Sequence, residues 1–434
     1  MIFTLQLNCF GNRRWSRCLA TAALAFWVHA AGAQDLPAAR AEDVGMSSER
    51  LARIGDWVRQ EVAAGRVPGA VVMVARNGRL AYYEAIGRQD AAGTGPMRKD
   101  SIFRIYSMTK PMVSVAALMM VEEGKLLLEA PVSRYIPSFA NLKVGVEKVD
   151  PASGAKSLEL VAARRQMTVQ DLLRHTSGLT YGFFGDSLVK KAYLDAGVGS
   201  GDYTTAEFAE KLATLPLHYH PGSTWDYSYS TDVLGRVLEV ASGQSLYSLL
   251  RARLLEPLGM RDTMFYVTDA ARQARIAEPR GDDRVIGAGS VVGDPRVERK
   301  FESGGGGMVS TATDYSRFLQ MMLNGGALDG RRYLSPKTIE YMTADHLGTA
   351  VSPGPLYLPG AGHGFGLGFA TRKVNGEASY ITPAGDYWWG GAGGTYFWVD
   401  PKTNLFVVFM MQSPRQRVAY RSVLRNMVYA AVEK

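Results

Sequence analysis

The sequence predicts an α/β (α+β) protein whose single antiparallel sheet is formed from both chain ends, is flanked by helices and carries a large, mostly helical inserted domain. Two observations support this. Strand signals lie towards both ends of the chain, whereas the middle, from about residue 107 to 334, is mainly helical and rich in loops. We therefore expect a discontinuous sheet domain of residues 34–106 and 335–434, and an inserted domain of residues 107–334.

The first elements of the sheet domain are a helix and a hairpin. Asn77-Gly78 separates an apolar run at 71–74 from another at 80–86, which is the strongest short signal for a β-hairpin. Before it, apolar residues recur at helical spacing after two serines that can cap a helix: Leu51, Ile54, Val58 and Val62 after Ser47 and Ser48.

The carboxyl end shows a second pair of strands. Residues 396–399 and 405–411 are predicted strands joined by a turn at 400–404, and a helix from about 416 to 432 follows. Because strand signals frame the chain in this way, the two ends are expected to pair in one sheet.

The first 33 residues have the pattern of an export signal. Arg13, Arg14 and Arg17 form a basic segment, residues 18–28 are mostly apolar, and Ala31-Gly32-Ala33 resembles a cleavage site. We expect cleavage after Ala33 and a periplasmic or secreted protein. No later apolar run approaches the length of about 18 residues that a membrane span needs, so no span is expected in the mature chain.

Composition excludes several classes of protein. With 47% hydrophobic and 21% charged residues in 434, the chain can form a core and is not predicted to be disordered. Both cysteines, Cys9 and Cys18, lie in the predicted signal, which excludes cysteine proteases and zinc ribbons for the mature protein. The net charge of +8 falls to +5 without the three signal arginines, and no lysine or arginine run suggests a nucleic-acid partner.

An S-x-x-K sequence at Ser107 to Lys110 is the main candidate for chemistry. On a helix, residues three apart lie on one face, so a lysine amine can reach the serine hydroxyl and take its proton. The same pattern occurs at 153–156 and 187–190, but only the first copy leads into a helix that is apolar nearly all round, at 112–120. On the tetrapeptide alone, an ordinary helix-capping serine remains the alternative.

Four segments resemble the serine β-lactamase and penicillin-binding-protein superfamily, most closely its family VIII carboxylesterases. They occur in the expected order along nearly the whole mature chain: residues 103–110 around Ser107, residues 167–179, the glycine-rich residues 304–312, and Trp389-Gly390-Gly391. The resemblance implies a β-lactamase/transpeptidase-like fold. Independently of it, the run Gly304–Gly307 predicts a tight turn or a close backbone approach.

The resemblance also implies the other catalytic groups. Tyr227 is favoured over Tyr229 as the second-motif tyrosine, because residues 232–235 follow it as in the family's helix. Ser107 would be the nucleophile, Lys110 and Tyr227 a coupled base pair, and the backbone N–H groups of Ser107 and Ala392 the oxyanion donors. Which of Lys110 and Tyr227 holds the proton stays open.

Seven further residues are candidates for binding substrate, with core packing or a surface loop as the alternative. They are Trp389, Gly390, Gly391, Tyr106, Tyr181, Tyr229 and His363. β-Lactamases have a Lys-Thr-Gly strand where this chain has Trp389-Gly390-Gly391, and an asparagine where it has Tyr229. Loss of that lysine cation favours neutral esters over penicillins, since an indole stacks on apolar groups but carries no charge.

We therefore expect an exported serine carboxylesterase that acts on small esters with short to medium acyl chains and needs no metal or cofactor. G-x-S-x-G and H-E-x-x-H motifs are absent. The alternatives are a weak β-lactamase, D-peptidase or amide hydrolase, an acyltransferase, or a catalytically silent penicillin-binding or sensor protein. The natural ester, its stereochemistry and the oligomeric state stay open.

Overall fold

A computed structural model describes residues 35–90, 93, 95–283 and 293–434. The predicted signal, with Cys9, Cys18 and the cleavage site after Ala33, lies outside these residues. In chain order the strands are β1 (Gly69–Arg76), β2 (Arg79–Gly87), β3 (Phe103–Arg104), β4 (Lys143–Val149), β5 (Lys156–Ala162), β6 (Val309–Ser310), β7 (Ala327–Leu328), β8 (Arg331–Arg332), β9 (His363–Phe365), β10 (Ala370–Arg372), β11 (Tyr387–Gly390), β12 (Tyr396–Asp400) and β13 (Leu405–Met411).

The α-helices run from one that precedes the first strand to one that follows the last strand. They are α1 (Ser48–Ala63), α2 (Thr109–Glu122), α3 (Val169–Leu173), α4 (Leu188–Asp195), α5 (Thr205–Ala213), α6 (Ser230–Ser242), α7 (Leu246–Leu250), α8 (Glu256–Leu258), α9 (Ala270–Gln273), α10 (Ala312–Leu323), α11 (Pro336–Thr343) and α12 (Arg417–Ala430). A π-helical turn, Arg251–Leu255, joins α7 to α8.

The main sheet unites the two ends of the chain, which confirms the predicted fold class. Its strand order is β2-β1-β13-β12-β11-β10-β9, and every neighbouring pair is antiparallel. The central strands β1 and β13 are buried along their whole length, so they appear in the sequence as unbroken apolar runs. Asn77 and Gly78 both have positive φ, as a tight hairpin turn between β1 and β2 requires.

Helices cover both faces of this sheet. On one face α1 and α12 pack together through Trp57 and Tyr420, whose rings lie 4.8 Å apart, and Trp57 also contacts Phe409 of β13. On the other face Tyr315 of α10 contacts Phe397 of β12 at 5.3 Å. In β12 Phe397 follows Tyr396, the residue paired with Phe409, so alternation along the strand places the two contacts on opposite faces.

The middle of the chain is mostly helical, as expected, but it also contains a hairpin that the sequence analysis did not predict. Strands β4 and β5 pair antiparallel over seven residues each, with the Ser153 copy of the S-x-x-K pattern at their turn. Their sequences mix lysine, glutamate and valine, and much of the hairpin is exposed. Little apolar alternation therefore marks it. The boundaries of the two domains remain a proposal.

In the described part of the chain, none of the helices combines the length and the apolar character needed to cross a bilayer.

Candidate active site

Ser107 lies in a single 3₁₀ turn, Tyr106–Met108, that leads directly into α2. Most of α2 is buried on every side, because its residues are almost entirely apolar. The third residue of α2 is Pro111, which the first turn tolerates because no N–H is needed there. Just past the end of α2, Gly124 has a φ of 69°. The turn leaves Ser107 partly exposed, while Lys110 is 1% exposed.

The amine of Lys110 has three hydrogen-bond partners. Its Nζ lies 2.6 Å from the carbonyl oxygen of Gly305, 3.2 Å from Tyr181 Oη and 3.4 Å from Ser107 Oγ. An ammonium has three N–H donors, so these partners use its full capacity. The structure thus brings the serine and the lysine of the S-x-x-K sequence together. The contact with Ser107 is the longest of the three, which is common before substrate tightens a site.

Tyr227 approaches Lys110 with its ring and not with its hydroxyl. Lys110 Nζ lies 4.5 Å from the centroid of the Tyr227 ring, a cation–π distance. The Tyr227 hydroxyl accepts a hydrogen bond from Trp389 Nε1 at 3.2 Å. The phenol hydroxyl bonded to Lys110 is that of Tyr181, a residue predicted from sequence only as part of a substrate pocket.

Tyr181 and Tyr229 are both buried next to this centre. Their rings lie 4.4 Å apart, and Tyr181 also packs edge-on against Tyr227 at 5.4 Å. Burial is the main cause that raises the pKa of each phenol above its ordinary value, and the nearby Asp232 adds to it. Both therefore remain neutral at physiological pH. Tyr229 lies behind Tyr181 and also packs against Phe208, so its contacts are those of a core residue.

The turn after β11 meets the turn that carries Ser107 through backbone contacts. Gly391 N–H donates to Thr395 O at 2.7 Å, and Thr395 Oγ1 donates to the carbonyl of Ile105 at 3.3 Å. A Cβ on Gly391 would overlap that same Ile105 carbonyl, so only glycine fits. Ala392 is partly exposed, and its N–H has no hydrogen-bond acceptor among the described residues. Tyr106 has a φ of 44°, a strained value for a non-glycine residue.

Asp232, Ser303 and Gly305 form a hydrogen-bonded group next to Lys110, and they were not identified from the sequence as part of the site. Asp232, on the first turn of α6, accepts hydrogen bonds from Ser303 Oγ at 2.6 Å and from Gly305 N–H at 3.0 Å. Burial raises the pKa of this carboxyl group, while the charge of Lys110 acts in the opposite direction. The one signal in the sequence that could have pointed to this group was the run of four glycines, Gly304–Gly307. None of Gly304–Gly307 has positive φ, so a close approach explains the run better than a left-handed turn.

His363 lies among other residues than those around Ser107. Its ring is 5.7 Å from Trp388 and 6.4 Å from Tyr380, and its Nδ1 is 3.5 Å from Arg372 Nη1. Burial, aided by nearby arginines, lowers its pKa to about 4, so the ring is neutral at pH 7. None of these contacts involves Ser107, Lys110 or Tyr227.

In the third motif, Trp389-Gly390-Gly391, the first two residues face different parts of the structure. Trp389 faces Tyr227, whereas Gly390 faces α12, where a Cβ would overlap the guanidinium of Arg421. That guanidinium lies 5.7 Å from the Trp388 ring. A tryptophan and a glycine thus take the place of the lysine and threonine expected in β-lactamases. Arg421 of α12 lies beside the glycine.

The third S-x-x-K copy has an ordinary structural role. Ser187 caps α4, and its Oγ accepts a hydrogen bond from the backbone N–H of Lys190 at 3.1 Å. The Lys190 amine donates to the carbonyl of Phe184. This serine and lysine therefore do not form a nucleophile–base pair.

The fold and this site define a class of protein: a β-lactamase-like fold with a partly exposed serine in a 3₁₀ turn and a buried lysine in the helix that follows it. Comparison with known proteins agrees. The family model described as Beta-lactamase matches residues 54–430, and the chain belongs to this family.

Similar proteins include two curated relatives. The esterase EstB of Burkholderia gladioli is 31% identical over 91% of this chain and 98% of its own. Protein Rv1367c of Mycobacterium tuberculosis (strain ATCC 25618 / H37Rv) is 36% identical over 82% of this chain and 88% of its own. Among solved structures, that of "EstCE1, a hydrolase with promiscuous acyltransferase activity" superposes with a TM-score of 0.70 and 28% identity, covering 89% of this chain and 99% of the other.

Proposed function

We propose that this protein is a serine carboxylesterase in which Ser107 forms an acyl-enzyme. The observation that carries the proposal is the buried Lys110 amine, held 3.4 Å from the partly exposed Ser107 hydroxyl. A serine hydroxyl becomes a useful nucleophile when a positioned base takes its proton. Esters are the proposed substrate class because EstB is named an esterase and EstCE1 a hydrolase, and both align over most of this chain.

The proposed reaction has two halves. Ser107 Oγ attacks the ester carbonyl carbon while its proton passes to Lys110; the bond to the alcohol oxygen then breaks, and the alcohol leaves with that proton. Water attacks the acyl carbonyl while one of its protons passes to Lys110, the bond to Ser107 Oγ breaks, the carboxylic acid leaves, and Oγ takes the proton back. The N–H groups of Ser107 and Ala392 are proposed to stabilise the oxyanion in both halves, and the unpaired N–H of Ala392 supports this. Tyr227, whose ring centroid lies 4.5 Å from Lys110 Nζ, completes the proposed catalytic set as the partner of Lys110 in the base pair.

The proposed substrates are neutral esters with short to medium acyl chains. Trp389 brings an indole to the place where β-lactamases carry a lysine, so this position supplies no cation for a penicillin carboxylate. Phe183 is 57% exposed although it stacks on the Tyr181 ring at 4.8 Å. An exposed ring that leads to a buried site offers an apolar surface to an acyl or alcohol group.

The division into a discontinuous sheet domain, residues 34–106 and 335–434, and an inserted domain, residues 107–334, is also proposed.

Export is a further proposal. The pattern of basic, apolar and small residues supports a signal peptide at 1–33, and a periplasmic or secreted enzyme would follow. Expression in a bacterial host followed by amino-terminal sequencing of the exported protein tests this. We expect the mature chain to begin at Gln34.

The function is tested with a chain-length series of nitrophenyl esters and with nitrocefin. We expect ester turnover that is greatest for short to medium chains, and little or no nitrocefin turnover. Ser107→Ala and Lys110→Met should each abolish ester turnover, whereas Ser153→Ala, in the exposed turn of the β4–β5 hairpin, should not change it. Full ester turnover by Ser107→Ala contradicts the mechanism, and fast nitrocefin turnover without ester turnover contradicts the substrate class.

Acyl transfer is a second candidate, because the similar structure EstCE1 is described as a hydrolase with promiscuous acyltransferase activity. An alcohol would then replace water in the second half of the reaction. Added alcohol should raise the rate of ester consumption and yield a new ester, if breakdown of the acyl-enzyme limits turnover. Release of free acid alone at all alcohol concentrations contradicts transfer while leaving hydrolysis intact.

A further inference from the structure

A buried carboxylate lies behind Lys110, separated from it by a single residue of the glycine run. Asp232 is 2% exposed and accepts hydrogen bonds from Ser303 Oγ and from the N–H of Gly305. The carbonyl of the same glycine accepts the shortest hydrogen bond of Lys110, at 2.6 Å. Gly305 therefore links the carboxylate to the amine through its two backbone groups.

The glycines permit this close approach. A Cβ on Gly305 would overlap the Asp232 carboxylate, and a Cβ on Gly304 would come within 2.6 Å of the Thr231 carbonyl oxygen. Any larger residue at position 305 would have to push the carboxylate away. The run is therefore shaped around α6 on one side and presents a carbonyl to Lys110 on the other.

The other ionisable groups that face this pair do not compensate the charge of Lys110. Tyr227 faces Lys110 with its ring, and its hydroxyl accepts a hydrogen bond from Trp389. The Tyr181 and Tyr229 phenols are kept neutral by burial. His175 is buried, and burial together with the charge of Lys110 holds its pKa well below its ordinary value, so its ring is neutral too. Asp232 is thus the acid among the groups facing Lys110, and its two hydrogen-bond donors both stabilise a carboxylate.

We propose that Asp232 is a positioning residue that holds the Gly305 carbonyl against Lys110 and stabilises, by its negative charge, the ammonium formed when Lys110 takes the Ser107 proton. The inference rests on the proposed role of Lys110 as the base. In that step the Oγ–H bond of Ser107 breaks, a bond forms from Oγ to the carbonyl carbon, and the proton ends on Nζ. The arrangement follows the logic of a triad, in which a buried acid orients a base and stabilises its protonated form.

Asp232→Asn removes the negative charge of the side chain while keeping its size and shape. The amide keeps an oxygen that can accept from Ser303 and Gly305, but it removes the negative charge. Without that charge the Lys110 ammonium is less stable, so the acid limb of the kcat/KM–pH profile should move to lower pH by about one unit. The plateau of kcat should fall by roughly 10- to 100-fold, because a weaker base is a poorer proton acceptor in the transition state. KM should change little.

Asp314→Asn is the matched control. Asp314 is a buried helical acid that likewise accepts from one backbone N–H and one hydroxyl, those of Asp262 and Thr263, and it makes no contact with Lys110. Its pH profile should match that of the unchanged enzyme. If Asp232→Asn does not fold, Ser303→Ala supplies a milder test, because the carboxylate loses a donor. The acid limb should then shift in the same direction by a smaller amount.

A folded Asp232→Asn enzyme whose pH profile and kcat match those of Asp314→Asn overturns the inference. So does an unchanged Ser303→Ala profile when the other variant does not fold. Failure of the proposed function is recognised separately, because Ser107→Ala or Lys110→Met would then keep ester turnover, whatever Asp232 does.

Discussion

The hydroxyl of Tyr181 offers a quantitative test of how Lys110 is held. Tyr181→Phe removes the oxygen that lies 3.2 Å from Lys110 Nζ and leaves the buried ring in place. A hydrogen bond to a charged group contributes about 1.5–3 kcal/mol, and 3.2 Å is long enough to favour the lower half of that range. In the proposed mechanism this bond stabilises the ammonium that forms when Lys110 takes the Ser107 proton, so kcat/KM should fall by roughly 10- to 50-fold.

The assay is nitrophenyl ester hydrolysis across pH, with Tyr193→Phe as the matched control. Tyr193 is another buried tyrosine of the same region, stacked on Tyr229 at 6.5 Å, and its hydroxyl makes no contact with Lys110. Only Tyr181→Phe should lose rate and move the acid limb to lower pH. If both variants stay within twofold of the unchanged enzyme, the Tyr181 contact does not support the base and the reasoning is refuted.

Three further predictions concern the backbone and a second buried acid. Gly391→Ala places a Cβ against the Ile105 carbonyl, so it should displace the turn that carries Ser107 and reduce kcat by roughly 100-fold or more in a protein that circular dichroism shows to be folded. Ala392→Pro removes the proposed oxyanion donor and should cost about 10²–10³ in kcat, whereas Ala392→Gly should stay within a few-fold; equal rates would exclude this donor. Burial raises the pKa of Asp314 to about 6, above the ordinary 3.8, so folding binds a proton between these values and stability falls as pH rises from about 4 through 6. Asp314→Asn should abolish a loss of about 3 kcal/mol in the free energy of unfolding over that range, measured by urea denaturation.

Local patterns were enough to predict the frame of the sheet. The Asn77-Gly78 turn, the strands predicted at 396–399 and 405–411 and the amphipathic helix after Ser47 each depend on neighbours within a few residues. All three are confirmed, and the first of the two strands extends one residue further, to Asp400. The pairing of Ser107 with Lys110 belongs to the same category, because a three-residue spacing on a helix brings two side chains together wherever the helix lies.

Contacts between distant segments could not be predicted in the same way. Asp232 and Gly305 are 73 residues apart, and nothing in either segment shows that one donates to the other. Tyr181 and Tyr227 both lie in loop segments that contain other aromatic residues, so the sequence does not show which hydroxyl contacts Lys110. His363 was a candidate because of its glycine neighbours. Those glycines are explained by the packing of β9, since a Cβ on Gly364 would overlap the Asp345 side chain.

The two tyrosines beside Lys110 are set for different tasks by their partners. An indole N–H can only donate, so the bond from Trp389 Nε1 uses an acceptor lone pair of Tyr227 and leaves the Tyr227 O–H hydrogen available to another group. An ammonium also only donates, so in the protonated state of Lys110 the Tyr181 oxygen is the acceptor. The Tyr227 hydroxyl is therefore available to donate a hydrogen bond, whereas the Tyr181 oxygen would stabilise Lys110 in its protonated state. Trp389 in place of the lysine of the third motif thus removes a cation and at the same time fixes the direction of the Tyr227 hydrogen bond, which links the proposed neutral substrate class to the proposed proton transfer.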